Sequence, residues 1–434
     1  MVAKVDGVHR LSELRAALAL IAEDCAPESR LQPRAFADPM FRIHFARLVL
    51  LAEPSDAEHG SSVVFESNFD TDTVDPAEAR AEHLRLLCSK IREPLWSVFK
   101  YCQGFADASE AEPLADALEQ RLAPSTACYQ GHTERDLDRI RLEQYLREVL
   151  MRYFERAPRA PPRELYFAAR EYVRLRSATD PKLRGLNIDH PAPPMPDAAI
   201  RSERLGAGLA VWFENISLQL LFYVLSQLLN LWRWAKSDPE YEPLARQEAW
   251  TADDRAHFLE VAASEDHGLQ NALTHVVPLK HPNRLTALLA AHGYIDRMAK
   301  NQFDDIGQLG GIPTIHFAKW LLIDDRTRLL FFSNYDSSWE SYLGDFVDRA
   351  AIGLNLAWTW THLYPKTVFF NWGGANDEER FKAWSRAHQR PTQVFYAAYP
   401  DLGIAALNNN TWIRCGLHHP PCAMALKAWF RRLT

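Results

Sequence analysis

Two separated stretches of this chain carry the same pattern. Residues 41–51 and 61–70 read FRIHFARLVLL and SSVVFESNFD; residues 313–323 and 328–336 read PTIHFAKWLLI and RLLFFSNYD. Ile-His-Phe-Ala followed by a cation recurs, and so does Ser-Asn-aromatic-Asp. Downstream, Val98-Phe99 and Gly104-Phe105-Ala106 align with Val368-Phe369 and Gly374-Ala375, PSTACYQGH (124–132) with PTQVFYAAY (391–399), and Tyr145-Leu146 with Trp412-Ile413. Self-similarity in a fixed order marks a duplicated structural unit. The expectation is two copies of a compact βαββαβ unit, at 1–150 and 265–417, with the second domain running on to residue 434 and a helical insertion at 151–264.

Local patterns fill in each copy. In the second, 268–280 reads as a strand rich in β-branched residues and 283–298 has helical spacing after Pro282. Residues 314–323 and 328–335 read as a hairpin across Asp324-Asp325. Ser337 with Glu340 forms a capping-box pattern for the next helix; in the first copy Asp75, Pro76 and Glu78 do the same. A strand at 366–372, a helix at 378–388 and a strand at 393–399 complete the unit. Near-continuous apolar runs such as LLFF predict strands covered on both faces, as two sheets packed face to face require. The first copy is expected to be structural, because only a short leading strand fits before its first helix.

The insertion reads as a charged helix at 160–176, a Pro-rich linker at 190–197 and a very apolar segment at 205–236. Twelve of the seventeen residues from Ile216 to Trp232 are apolar, short of the roughly 20 that a spanning helix needs. Asn215, Gln219, Ser226, Asn230 and Arg233 share one stripe, so the segment reads as an amphipathic helix. It suits a core, a homodimer interface or a membrane surface. The net charge of −7 argues against general nucleic-acid affinity. Six scattered cysteines imply no disulfide framework. The N-terminal residues lack the pattern of a secretory leader, and the expected location is cytoplasmic, with peripheral membrane contact through 205–236 as an option.

Candidate chemistry is sparse. His44 and His316 hold equivalent places on strands, where imidazole can bond across a sheet, ligate a metal or act as a base. His275, on a strand with no clear twin, is the better metal-ligand candidate. Asn334, Tyr335 and Asp336 end a strand before a helix; turn chemistry explains such residues equally well. Asn408-Asn409-Asn410 suit a helix cap or a ligand, and Tyr396 and Tyr399 flank them. Cys415, His418, His419 and Cys422 have spacings that zinc can use, although one short segment rarely supplies all four ligands. There is no phosphate-binding Gly-rich loop, no His-Glu-x-x-His pair and no Gly-x-Ser-x-Gly elbow.

With the motifs GGIPTIHFAKW (310–320) and FFSNYDSSWESYLGDFVD (331–348), the duplicated plan resembles the fused dimeric α+β barrels. In those proteins tandem ferredoxin-like repeats face each other. Their haem-binding members are the dye-decolourising peroxidases and chlorite dismutases. The resemblance covers the two repeats and not the segment between them. It implies an α+β barrel, a haem cofactor and a peroxidase-like or oxygenase-like oxidoreductase for a small, apolar organic substrate. The Gly-x-x-Asp-Gly motif of the peroxidases is absent, and Asp336 does not match it. Strand placement then offers His275 or His316 as the iron ligand, His275 being preferred, and His316, Tyr335 and Asp336 are the catalytic candidates. Asn334, Tyr396, Tyr399 and Asn409 would contact substrate. Two alternatives stay open: a cofactor-free enzyme or binder of an apolar molecule or lipid, and a membrane- or partner-binding protein working through 205–236.

Overall fold

The computed structural model describes residues 1–26, 29–52, 60–131, 135–186, 188, 251–280, 284–301, 309, 312–368, 372–418 and 423–433. The expected linker 190–197, the apolar segment 205–236, His419 and Cys422 lie outside them. The chain divides into two compact units, one comprising Met1–Gly131, Leu225–Asp304 and Gln308–Asp401, the other His132–Val224, Asp305–Gly307 and Leu402–Thr434.

The strands in chain order are β1 (Val2–Lys4), β2 (Cys25–Ala26), β3 (Ser29–Pro33), β4 (Ile43–Leu51), β5 (Ser62–Phe69), β6 (Ser125–Gln130), β7 (Gln270–Pro278), β8 (Ile315–Ile323), β9 (Arg328–Asp336), β10 (Thr367–Val368), β11 (Trp372–Gly373) and β12 (Val394–Ala397). The first unit holds two four-stranded antiparallel sheets, ordered β1-β5-β4-β12 and β7-β9-β8-β6. The fourth strand of each half is therefore exchanged: β6 closes the edge of the later sheet and β12 that of the earlier one. Both sheets are open, so the described strands form no closed barrel, contrary to the expectation.

The central hairpins are equivalent in detail. Register shifts between Ile43 and Phe45 in one and between Ile315 and Phe317 in the other, so His44 and His316 are each the extra residue of a bulge. Across the unit His44 packs on Phe317 and His316 on Phe45, with ring centroids 5.7 and 5.1 Å apart. Each hairpin thus gives its partner the contact it receives.

Strand periodicity sends alternate residues to opposite faces. Ala46, Leu48, Leu50, Val63 and Phe65 join a core with Leu14, Leu18, Leu84 and Leu87 of the helices Leu11–Glu23 and Pro76–Lys90. Ala318, Trp320, Leu329, Phe331 and Tyr335 do so with Tyr342 and Phe346 of the helix Trp339–Trp358. Val49, Leu51, Val64, Val276, Leu321, Ile323, Leu330 and Phe332 form a separate cluster between the sheets. Burying each such side chain gains about 1.5–3 kcal/mol.

Several boundaries moved. The helix after β9 is capped by Ser338, not Ser337, with Ser341 N–H donating to the Ser338 hydroxyl. Ser337 takes the left-handed conformation, φ 74°, which ends β9 and turns the chain into the helix. Asp75 caps as expected. Arg92–Phe99 is helical whereas Thr367–Val368 and Trp372–Gly373 are two short paired strands, so the sequence alignment there pairs unlike elements. The Asn triplet lies inside the helix Ile404–His418, not at its cap.

The second unit is helical. Leu137–Arg156, Pro162–Ser177, Ile404–His418 and Ala423–Arg431 enclose Leu146, Leu150, Tyr166, Val173, Ile413 and Trp429. A Cβ on Gly416 would sit 2.2 Å from the Trp429 ring, so only glycine admits this crossing. Among the described residues no helix is long and apolar enough to cross a membrane.

At the polar end of the inter-sheet layer, Arg47 is fully buried. Its Nε donates to Glu66 (3.2 Å), one terminal nitrogen to Leu273 C=O (2.9 Å) and Thr274 Oγ1 (3.3 Å), and the other to Ser333 C=O (3.1 Å) and Asn334 Oδ1. All five guanidinium N–H groups are thereby used. Arg47→Leu is expected to cost about 3–5 kcal/mol, because Glu66 Oε2 and four further oxygens lose this donor. Arg47→Lys should recover little of it, since an ammonium cannot reproduce the fork. Urea unfolding midpoints check both; a lysine variant as stable as wild type would refute this account.

Candidate functional site

The two bulged histidines each bond an aspartate at the end of the neighbouring strand, Asp336 as the last residue of β9 and Asp70 just after β5. His44 Nε2 lies 2.9 Å from Asp70 and His316 Nε2 2.7 Å from Asp336. His44 Nδ1 also meets the Tyr399 hydroxyl at 3.0 Å, and the Tyr399 ring lies 5.9 Å from His316. The structure therefore brings His316, Asp336 and Tyr399 together with His44 in a buried polar cluster. Asn334 sits nearby as an acceptor for Arg47. A pair made twice by the same bulge locks the hairpin ends, which is why the motif recurs.

The other candidates are dispersed. Tyr335 points to the helix side, stacked on Tyr342 at 3.9 Å. Burial, then the nearby Glu265 carboxylate, pushes its phenol well above the usual range. Tyr396 packs in the first helix–sheet core beside Phe36. Asn409 belongs to the second unit, where its amide donates to Arg432 C=O at 2.8 Å.

His275 is enclosed in the core of the later sheet. Its Nε2 meets the Ser385 hydroxyl at 2.9 Å, and the rings of Trp358, Trp384 and Phe331 pack around it at 5.8–6.1 Å. A macrocycle would have to displace this aromatic shell. Burial holds the imidazole neutral, with its pKa well below the ordinary value. That shell is core packing of the kind that resists insertion. Among the described residues no group of three or more His, Cys, Asp or Glu is poised to hold a metal ion.

Open space occurs elsewhere. A cavity of about 530 Å³ lies beside β5. On that edge β1 pairs with Ser62–Val64 and Met1 with Phe65, and Glu66–Phe69 has no strand beside it among the described residues. In the other sheet the nine residues of β7 cover β9 along its whole length. The cavity walls are mainly apolar, including Val64, Phe65, Leu84, Leu122, Leu321 and Phe332; Glu66, Ser67, Arg80, His83, Ser125 and Lys319 bring polar groups. Most of these residues belong to the first repeat, whereas the expectation placed the working site in the second.

Lys319 reaches this cavity from β8. Its ammonium donates to Glu66 Oε1 (2.9 Å) and Ser67 C=O (3.2 Å). It is the repeat equivalent of Arg47, and Ser67 of Ser333, so each sheet sends one cation to the same carbonyl of the other. Glu66 has no acidic twin; Phe332 stands there, 5.0 Å beneath the Arg47 guanidinium. Burial pushes the Glu66 carboxyl up, but Lys319, then Arg47, with hydrogen bonds from Lys319 and Asn68, outweigh it and hold it below the usual range. One buried carboxylate thus faces two cations. The sequence reading passed over Arg47, Glu66, Lys319 and His83, although the repeated cation after Ile-His-Phe-Ala pointed at the first and third.

His83 is stacked on Phe69 at 3.7 Å, with its Nε2 3.1 Å from the Ser67 hydroxyl. Burial, aided by the nearby Lys319 ammonium, lowers its pKa to about 3. Burial likewise lowers His292 to about 4 and His388 to about 3. Unfolded histidines titrate near 6.5, so between that pH and about 3 the unfolded chain binds more protons. Stability should therefore be full above this window and fall as pH drops through it. Denaturant unfolding at about pH 7 and about pH 4.5 should show the loss. His83→Gln, which keeps a partner for Ser67, should shrink it; an undiminished loss in that variant would rule out His83 as a contributor.

Comparison with known proteins returns no match for this chain: no family model, no curated protein and no solved structure is significantly similar to it.

Proposed function

We propose that this protein binds a small organic acid, an apolar body carrying one anionic group, in the cavity beside β5, and that it does so without haem. The observation that carries this reading is the Lys319 ammonium. It lines a mainly apolar cavity with two of its three N–H donors spent on Glu66 and Ser67. Arg47 shares the same carboxylate, so the local charge is positive before any ligand enters. Few convergent polar groups in an apolar concavity of several hundred Å³ are the usual make-up of a small-molecule site. Binding is favoured over acid–base turnover because His83, with a pKa near 3, is a poor base at neutral pH.

This reading treats the first unit as two fused ferredoxin-like repeats with exchanged fourth strands. Their shared order of strand, helix, hairpin, helix and strand supports it, as do the matching bulges. The repeat whose leading strand is short keeps the pocket; the other is sealed by β7.

Titration with a medium-chain carboxylate such as octanoate tests the reading, with octanol as the uncharged counterpart. Lys319→Met should weaken octanoate binding by roughly tenfold or more, about 1.4 kcal/mol, and leave octanol nearly unchanged. Leu84→Trp should reduce both by filling the cavity. Octanoate binding that is absent, or indifferent to Lys319→Met, would overturn the proposal. The purified protein should also show no Soret band and gain no histidine-ligated spectrum with hemin. A Soret band abolished by His275→Ala would restore the haem reading.

A further inference from the structure

The second unit has a groove of its own, about 820 Å³, walled by the helix Leu137–Arg156, the turn Pro181–Leu183 with Arg184 and Gly185 after it, and Arg414. Five cations line it, Arg139, Arg141, Lys182, Arg184 and Arg414, against the two carboxylates of Asp138 and Glu148. That excess stands out in a chain of net charge −7.

The cations are held in place. Arg139 Nε (2.9 Å) and an Arg414 terminal nitrogen (3.0 Å) both donate to Glu143 Oε1, and the Thr411 hydroxyl donates to Oε2 (2.6 Å). Glu143 is buried, so it acts as an anchor that turns two guanidinium groups toward the groove. The Arg414 Nε is buried without a hydrogen-bond partner among the described residues. Lys182 sits 5.1 Å over the Tyr145 ring, whose hydroxyl is fixed by Asp180 at 2.9 Å. Arg141 is half-buried and Arg184 exposed; neither has a carboxylate partner among the described residues. Like charges gathered in a concavity repel one another and focus a positive potential there, which an anion relieves.

We propose that this groove is a binding site for a small molecule carrying two or more phosphate groups. Guanidinium forks match phosphate oxygens in pairs. With Arg139 and Arg414 sharing Glu143, Arg141, Lys182 and Arg184 still add three cations around the groove, more than a single carboxylate satisfies. The volume lies within the roughly 300–1,000 Å³ of small-molecule sites. The concave shape and the acidic remainder of the chain suit a compact anion better than a nucleic-acid strand or a lipid surface.

Calorimetric titration of the full chain with inorganic tripolyphosphate is the test. Binding is expected, weakening with added salt, and the double variant Arg141→Gln/Arg184→Gln should bind roughly tenfold or more weakly. Both substitutions lie outside the helical core, so folding should survive, and circular dichroism verifies it. Lys319→Met should bind tripolyphosphate as wild type does, which separates this site from the β5 cavity. Three results would each overturn the proposal: no binding of tripolyphosphate, equal affinity in the double variant, or tighter binding of single-stranded DNA or anionic vesicles.

Discussion

A guanidinium taken out of water between two sheets must find an acceptor for every N–H or pay several kcal/mol for the failure. Arg47 finds five, four of them on the facing sheet. The apolar side chains of the same layer supply most of the adhesion, but they are non-directional and would tolerate sliding. Arg47 is directional. Its bonds to Leu273, Thr274, Ser333 and Asn334 are available in one alignment of β4 against β7 and β9. Lys319 makes the reciprocal tie to Ser67. The equivalence of the hairpins, the position of Glu66 and the charge in the cavity all follow from these two cations lying where they do.

The hairpins were legible in the sequence because their pattern is local and stated twice. Strand periodicity, the Ile-His-Phe-Ala and Ser-Asn-aromatic-Asp strings and the Asp75 cap all appear in the structure as read. Strand exchange was not legible. The sequence contains the strings at 124–132 and 391–399, but nothing local tells a strand which of two equivalent edges to join. The closed barrel failed for a related reason: similarity between repeats specifies the parts and leaves closure open. The cap at Ser338 differs from the expected Ser337 by one residue, decided by a left-handed turn that the Ser-Ser pair leaves ambiguous.

The candidate site was harder to read. Reasoning from the sequence went to histidines and amides, since these carry chemistry most often. In the structure His44 and His316 fasten hairpin ends, and His275 fills a shell of tryptophans. The informative residues were charges inside apolar strands. Arg47 and Lys319 interrupt otherwise buried runs, and a buried charge demands a partner. Glu66 became significant only by contrast with its twin Phe332, a difference between repeats that similarity searching discards. The basic groove was invisible for a third reason: Arg139 and Arg141 lie far along the chain from Lys182, Arg184 and Arg414, and Arg139 and Arg414 meet only at Glu143.

The crossing-over of β6 and β12 also bears on how the molecule comes into being. During synthesis the N-terminal half emerges with its β4 edge bare, because the strand that covers it arrives near the far end of the chain. Its own β6 has meanwhile no β8 to join. Neither half can finish a sheet in isolation, so the first unit must close as one cooperative event across long loops, which is slow. A bare, hydrogen-bonding edge held open that long invites pairing with another nascent copy.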